Sequence, residues 1–263
     1  MSPDAFTADR LHREIKKLIM AGKFTPGLPL TVQSLADEFG TSTSPVRDAL
    51  NRLVGERLVE TQGGGGFALP EITKRNVYHL YSYHADLVRT IVKVMVRLEE
   101  MGSPPAFVVN RSAHGLALAY ATAEFFSLLA SCSPNPEHLD AIVQAGERLA
   151  ILRLHEGPIG RQGEELATLW NVTRSGNRNA TRVAMWQYHR RRLLRADQIS
   201  SAATQRSVAA HSCGAMMEMN MSNIEHDEDI VDLGAASVET QGAIRGVLDL
   251  TGGQLNQMGI ADD

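Results

Sequence analysis

The sequence predicts a mainly α protein: an N-terminal winged helix-turn-helix followed by an all-α antiparallel helical bundle. Two observations carry this expectation. Within Leu30–Leu69, two short amphipathic stretches separated by a glycine turn lead into two apolar runs that flank four glycines. From Thr73 to about residue 250, turn-forming clusters recur at helix-hairpin spacing, and almost nothing alternates with the two-residue period of a strand.

The elements follow in order. Ala8 to Ala21 places Leu11, Ile15, Leu18 and Ile19 on one helical face, and Arg10, Arg13, Lys16 and Lys17 on a solvated face. Val32, Leu35, Ala36 and Phe39 then recur at helical spacing until Gly40 ends the run. A second helix opens in Thr41-Ser42-Thr43-Ser44-Pro45, where Ser44 is placed to cap free N–H groups and Pro45 suits the first helical position. Its buried stripe is Val46, Ala49, Leu50 and Leu53. Leu58 to Thr61 and Phe67 to Leu69 flank Gly63 to Gly66 as a two-stranded wing.

The first domain is therefore expected over 1–70, a linker over 71–73 with Thr73 as a helix cap, and a helical domain over 74–250. Its helices are read as Thr73 to Met101, Ala106 to Leu129, Glu137 to Leu154, Gln162 to Thr173, Arg178 to Ser200, Gln205 to Asn223 and Asp227 to Leu248. Both tryptophans are expected in the core, Arg190-Arg191-Arg192 on a solvated face, and the acidic run 225–232 at a helix start. Residues 251–263 read as a frayed tail.

Composition bounds the function. A chain of 263 residues can bury two domains, and its formal net charge of −4 gives no bulk attraction to nucleic acid. Residues 1–69 hold eight Lys/Arg and eight Asp/Glu. Cys132 and Cys213 are too few for a disulfide framework, and neither a leader pattern nor a membrane-length apolar run is present, so a soluble cytoplasmic protein is expected. No nucleophile elbow, phosphate loop, dinucleotide fingerprint or metal-ligand spacing occurs, which argues against an enzyme. Glu164, Glu165 and His155 would form an acid/base set only if folding joined them.

The chemistry of the paired helices points to double-stranded DNA. The amino end of the second helix would enter the major groove, where Ser42, Thr43 and Ser44 offer hydroxyls and backbone N–H groups. Arg47, one turn further, would reach a guanine edge or a phosphate. Thr31 and Gln33 at the preceding helix start would hold a backbone phosphate. Gly64, Gly65 and Gly66 would let the wing backbone approach the sugar-phosphate chain closely.

Taken together, Pro26-Gly27, Leu30 through Leu35-Ala36, the core Gly40 to Leu50, Leu58-Val59 and the glycine wing resemble the N-terminal domain of GntR-family bacterial transcription regulators. The resemblance implies a ligand-responsive homodimer on a palindromic operator, most often a repressor. A winged helix ahead of a helical bundle, with Ser175-Gly176-Asn177-Arg178 closing a bundle helix, looks like the FadR-like (FCD) subgroup. Two departures matter: Thr43 stands where the family usually has arginine, and glycines replace its polar wing tip. Both imply a different operator or weaker specific binding.

The subgroup's metal set is degenerate here. Its Asp and His shortly before S-G-N correspond to Glu164 and Thr168, its two later histidines to Met216 and Val238, and its Arg/Glu pair to the region of His84 and Val88. No metal and no cofactor are therefore expected, although His84, His114, His155, His189 and His211 remain. The resemblance places a small-molecule effector near Arg89, Trp170, Asn171, Asn177 and Trp186; the loss of the metal set points away from the small carboxylates often held through metal, toward an apolar or acyl-type effector or a pocket that has lost its ligand. A different reading is a winged-helix protein-interaction module without specific DNA binding.

Overall fold

The computed structural model describes residues 3–96, 101 and 115–205. The helices expected over 206–223 and 227–248, the acidic run, the tail, His114, His211, Met216 and Val238 lie outside them. The chain divides into two compact units, Met1–Gly214 and Ala215–Asp263. Their compositions differ sharply. Residues 215–263 hold ten Asp/Glu and a single Arg245, whereas residues 1–214 hold 25 Lys/Arg and 20 Asp/Glu. The first unit therefore carries a formal +5, and the acidity of the whole chain belongs to the second.

The first unit opens with α1 (Pro3–Met20), β1 (Pro29–Leu30), α2 (Val32–Glu38), α3 (Thr43–Gly55), β2 (Glu60–Gln62) and β3 (Gly66–Ala68). Leu11, Ile15 and Ile19 of α1 meet Val46, Ala49, Leu50 and Leu53 of α3, all fully buried. Each buried Leu, Ile or Val among them contributes about 1.5–3 kcal/mol on leaving water. Gly40 ends α2 with φ +61°, and Thr41 N–H closes the turn on the Ala36 carbonyl at 2.9 Å. The wing is larger than predicted. β1 pairs antiparallel with β3, giving a three-stranded sheet in the order β1-β3-β2. Two residues at Pro29-Leu30 are too short a run for periodicity to reveal.

Past the linker come α4 (Lys74–Val94), α5 (Gly115–Ser131), α6 (Glu137–Arg153), a 3₁₀ turn (Gly157–Ile159), α7 (Gln162–Arg174), α8 (Arg178–Leu194) and a helical stretch over 196–205. Thr73 caps α4 as expected, its Oγ1 accepting from Asn76 N–H at 3.1 Å. α4 stops earlier than its apolar pattern suggests. Met95 turns extended at φ −56°, ψ 140°, and the Val96 N–H reaches the Cys132 carbonyl. The helix read as Arg178 to Ser200 breaks at Arg195. That turn carries Ala196, Ile199 and Ala203 into the core around α1 and α3.

That same core takes in Leu149, Ile151 and Leu152 from α6, so the winged helix and the bundle share one apolar cluster within the first unit. A second cluster fills the bundle, with Phe125, Phe126, Leu129, Trp170, Met185 and Tyr188 buried among α4, α5, α7 and α8. No helix among the described residues is long and apolar enough to cross a membrane.

Candidate nucleic-acid interface and bundle centre

α3 begins at Thr43 with Ser42 as its cap residue, two residues before the predicted Ser44. Ser42 makes no side-chain cap bond, so the first-turn N–H groups of Thr43 and Ser44 lack a side-chain partner and lie at the positive end of the helix dipole. Pro45 falls inside the first turn and is buried, still within the stretch where a missing N–H costs no helical bond.

Most of the residues expected to contact DNA are exposed. Thr31, Gln33, Ser42, Ser44, Arg47, Gly64 and Gly65 are exposed, with Thr43 and Gly66 half-buried. Thr31 is the cap residue of α2, and Gln33 Nε2 donates to Asp37 Oδ1 at 2.9 Å. Arg47 forms no intrahelical salt bridge. Its Nη1 donates to the Gly65 carbonyl at 3.3 Å, a long bond that joins the recognition helix to the wing tip. Gly64 and Gly65 adopt φ +85° and +80°, a conformation that explains glycine there without invoking any ligand.

The basic face of α1 is only partly free. Lys16 Nζ sits 3.0 Å from Glu56 and 2.7 Å from Glu147, His12 bonds Glu56 at 2.8 Å, and Arg52 pairs with Asp9. Lys16 thereby ties α1 and the end of α3 to α6. Burial pulls its ammonium pKa down, but the hydrogen bonds and charges of Glu147 and Glu56 outweigh that and raise it.

In the bundle, the predicted pocket residues separate. Arg89 and Trp186 share a groove of about 690 Å³ between α4 and α8, lined also by Tyr78, Val92, Arg182 and Arg190. Trp186 is 58% exposed, so it is not core; Arg190 stacks over it at 5.3 Å. Arg89 pairs with Asp86 at 3.2 Å. Trp170 is buried in the second core under Arg174. Asn171 is exposed, and Asn177 caps α8 through Ala180 N–H. Glu165 turns away from acid/base work and pairs with Arg191 and Arg192. Among the described residues there is no group of three or more His, Cys, Asp or Glu able to hold a metal ion.

The arginine run is the clearest correction. Arg192 is 2% exposed and lies at the heart of a buried network, because the turn of α8 that points inward is the one carrying it. Its Nε and Nη2 donate to the two Glu156 carboxylate oxygens at 3.0 and 2.9 Å, its Nη1 to Glu165 at 2.8 Å, and its guanidinium lies 3.4 Å from the Tyr188 ring centre. Glu156 also accepts from Tyr81 Oη and from Gln162 Nε2.

Sequence reasoning also missed a histidine pair. His84 and His189 are buried and bonded to each other, Nδ1 to Nε2, at 2.8 Å. His189 Nδ1 lies 2.7 Å from the Met185 carbonyl, which can only accept. So His189 Nδ1 donates, its Nε2 accepts from His84 Nδ1, and His84 Nε2 is left with a lone pair and no partner. Burial holds both imidazoles neutral; His189 is pushed down to about 3, and His84 falls well below its ordinary value.

Since an unfolded histidine titrates near ~6.5, the unfolded chain binds more protons than the folded one between that pH and about 3. The stability these rings contribute is complete above ~6.5 and is lost as pH falls toward 3. Each should cost about 1.4 kcal/mol per pH unit when fully engaged. Urea titrations at stepped pH should show this acid slope, and His189→Gln should flatten it; an unchanged slope would remove the pair as its source.

Residues 7–69 match the sequence model for bacterial regulatory proteins of the gntR family. Residues 217–262 match the model for the lasso peptide subterisin. The HTH-type transcriptional regulator YdhC of Bacillus subtilis, itself described as uncharacterized, is 29% identical over 87 residues, 33% of this chain and 39% of that protein. The HTH-type transcriptional regulator McbR of Escherichia coli is 32% identical over 68 residues, 26% of this chain and 31% of that protein. The matched stretches thus span 39% and 31% of the length of these relatives. The solved structure of E. coli McbR/YncC superposes with a TM-score of 0.54 at 18% identity, covering 75% of this chain and 99% of that one. It shares the fold, a GntR-type winged helix followed by helices.

Proposed function

We propose that this chain is a DNA-binding transcription regulator of the GntR type, cytoplasmic and homodimeric. It represses from a palindromic operator and responds to a small molecule held in a FadR-like bundle. One observation carries the reading. The amino end of α3 is uncapped, and exposed Arg47 of the same helix bonds the wing at Gly65, all within the stretch that matches the gntR-family model. The winged-helix stretch itself is balanced, with eight Lys/Arg and eight Asp/Glu over residues 1–69, so the reading rests on where these groups stand and not on bulk charge. Thr43 in place of the family's arginine implies an operator unlike the common one.

Selection of bound duplexes from a random pool is the test. It should return a dyad whose half-sites are spaced to suit a twofold dimer, without the usual family consensus. A pool that shows no enrichment favours a protein-interaction module instead. A protein that stays monomeric with and without DNA defeats the two-half-site arrangement.

A second reading concerns residues 217–262 alone and is favoured by their match to a lasso peptide. We infer that this segment is a precursor for ring closure. The segment contains no cysteine and no lysine, so an amide ring closed through a side chain joins a carboxylate to an amino end freed by cleavage. A threaded chain needs ~4.8 Å of clearance on each side, a ring roughly 9–10 Å across. Eight residues at ~3.5 Å each close a ring about 9 Å across, whereas six give only about 7 Å. Gly242 to Asp249 spans eight residues, whereas Gly234 to Glu239 spans six.

Hydrolysis of the Gln241–Gly242 bond frees the glycine amine. An enzyme acting in trans, using a nucleoside triphosphate, activates the Asp249 carboxyl, and the amine displaces the activated group. Mass spectrometry of the producing cells should find a peptide beginning at Gly242 that has lost one water, absent after Asp249→Asn. Finding the segment only in the intact chain would overturn this.

A further inference from the structure

The chain leaves α3 through a turn that usually belongs to glycine. After the cap residue Glu56, Arg57 takes φ +60°, its N–H on the Val54 carbonyl at 2.9 Å and the Leu58 N–H on the Leu53 carbonyl at 3.0 Å. That left-handed backbone strains any residue carrying a Cβ. The arginine side chain offsets none of the strain locally. It is exposed and makes no hydrogen bond or ion pair among the described residues.

A second arginine stands in the same condition nearby. Arg148 of α6 is half-buried and likewise makes no hydrogen bond or ion pair among the described residues. Burial pulls its guanidinium pKa down and the charge of Arg57 adds to that, while Tyr83 acts in the opposite sense. The two like charges are therefore within reach of each other. Lys16 keeps them so, since its Nζ lies 3.0 Å from Glu56 and 2.7 Å from Glu147, the residues just before Arg57 and Arg148. Both arginines line a cleft of about 1030 Å³ bounded by the end of α3, the linker, α4 and α6. Of the glutamates that also line it, Glu56 is taken by Lys16 and His12, and Glu60 and Glu71 pair with neither arginine. The cleft lies between the winged helix and the bundle and shares no residue with the α4/α8 groove.

We propose that Arg57 and Arg148 together hold the phosphate of a small phosphomonoester, with Tyr83 beside it and the organic part of the ligand along Leu80 and Ile151. A phosphomonoester near neutral pH is close to a dianion with three acceptor oxygens, enough for two planar donor forks at once. A single carboxylate brings one charge and serves one fork. The cleft is far roomier than a bare phosphate needs, and Leu80 and Ile151 supply apolar wall. One arginine follows the recognition helix and the other sits on the bundle, so the bound phosphate fastens the two parts together. Its effect on DNA rests on the operator-binding role proposed above; the binding step stands without it.

Isothermal titration of the full chain without DNA, at about pH 8 where phosphomonoesters are dianions, is the test. Phenyl phosphate is the probe. Benzenesulfonate keeps the ring and three oxygens but carries one charge, and inorganic phosphate keeps the phosphate without the ring. Phenyl phosphate should bind one to one and roughly tenfold more tightly than either. Arg148→Met should weaken it at least about tenfold. Arg57→Gly should weaken it as much while the melting temperature of the free chain holds or rises, because glycine relieves the left-handed backbone. That variant keeps the test valid if Arg148→Met does not fold. No binding of phenyl phosphate, equal binding of benzenesulfonate, or unchanged binding by Arg57→Gly would each overturn the site, and equal binding of inorganic phosphate would overturn the ester in favour of free phosphate. If phenyl phosphate binds as expected but operator affinity is unchanged, the site stands and its coupling to DNA fails.

Discussion

Arg47→Ala is expected to weaken binding to the operator by between about fivefold and a hundredfold, the range for loss of one good base or phosphate contact. The reason lies in how little the fold asks of this side chain. Arg47 is exposed on α3, opposite the buried stripe of Val46 and Leu50, and its one intramolecular hydrogen bond is the long one to the Gly65 carbonyl. Removing it leaves the core untouched, so the melting temperature should hold.

Fluorescence anisotropy on the chain's own upstream DNA, beside a scrambled duplex, measures the effect. If Arg47 reads a base, the alanine variant loses discrimination between the two duplexes. If it holds only a phosphate, both affinities fall together and the salt dependence becomes shallower by about one ion. Unchanged affinity for both duplexes would mean that α3 does not face the groove. A second, smaller outcome bears on the wing. Because the Arg47 guanidinium rests on Gly65, losing it should also free the wing tip, visible as faster amide exchange at Gly64 and Gly65.

The winged helix was legible because its signals are local. Gly40 with a left-handed φ, the stripe Val46, Ala49, Leu50 and Leu53, and the Thr73 cap are each written within a few residues of where they act. β1 was not, since two residues become a strand only when Phe67 and Ala68 arrive beside them. The bundle followed the same division. Its helix order was readable from turn clusters, but which face of α8 turned inward was not. Arg190, Arg191 and Arg192 are identical letters with three different fates: stacked on exposed Trp186, clamped on the Ile159 and Gly160 carbonyls, and buried against Glu156. α8 is polar around most of its circumference, so no stripe announces its buried side. The His84–His189 pair escaped for the same reason, because its two members lie far apart along the chain. The total charge of −4 hides a division of another kind, averaging a basic first unit with an acidic second one.

Arg192→Met should cost about 3–5 kcal/mol of stability, the range for removing one member of a buried ion pair, and lower the melting temperature by roughly 10 °C for a unit of this size. The loss comes less from the missing attraction than from what stays behind. Glu156 would remain buried with a full charge, left with only Tyr81 Oη and Gln162 Nε2 as donors. Glu165, nearer the surface and still paired with Arg191 at 2.9 Å, would suffer little. Combining Arg192→Met with Glu156→Met and Tyr81→Phe removes the orphaned charge and the orphaned hydroxyl at once, and should recover most of the stability lost by the single change. Urea unfolding of the single and triple variants distinguishes the two explanations. Full recovery in the triple variant assigns the single variant's loss to the uncompensated carboxylate. No recovery would mean that Arg192 matters as packing, through the Tyr188 ring 3.4 Å from its guanidinium. A network that specifies geometry more than it stabilises should also reveal itself in the triple variant's function. The α8 end would then lose the Arg192 ties to Glu156 and Glu165, and any response of operator affinity to a ligand in the bundle should shrink even where the melting temperature has returned.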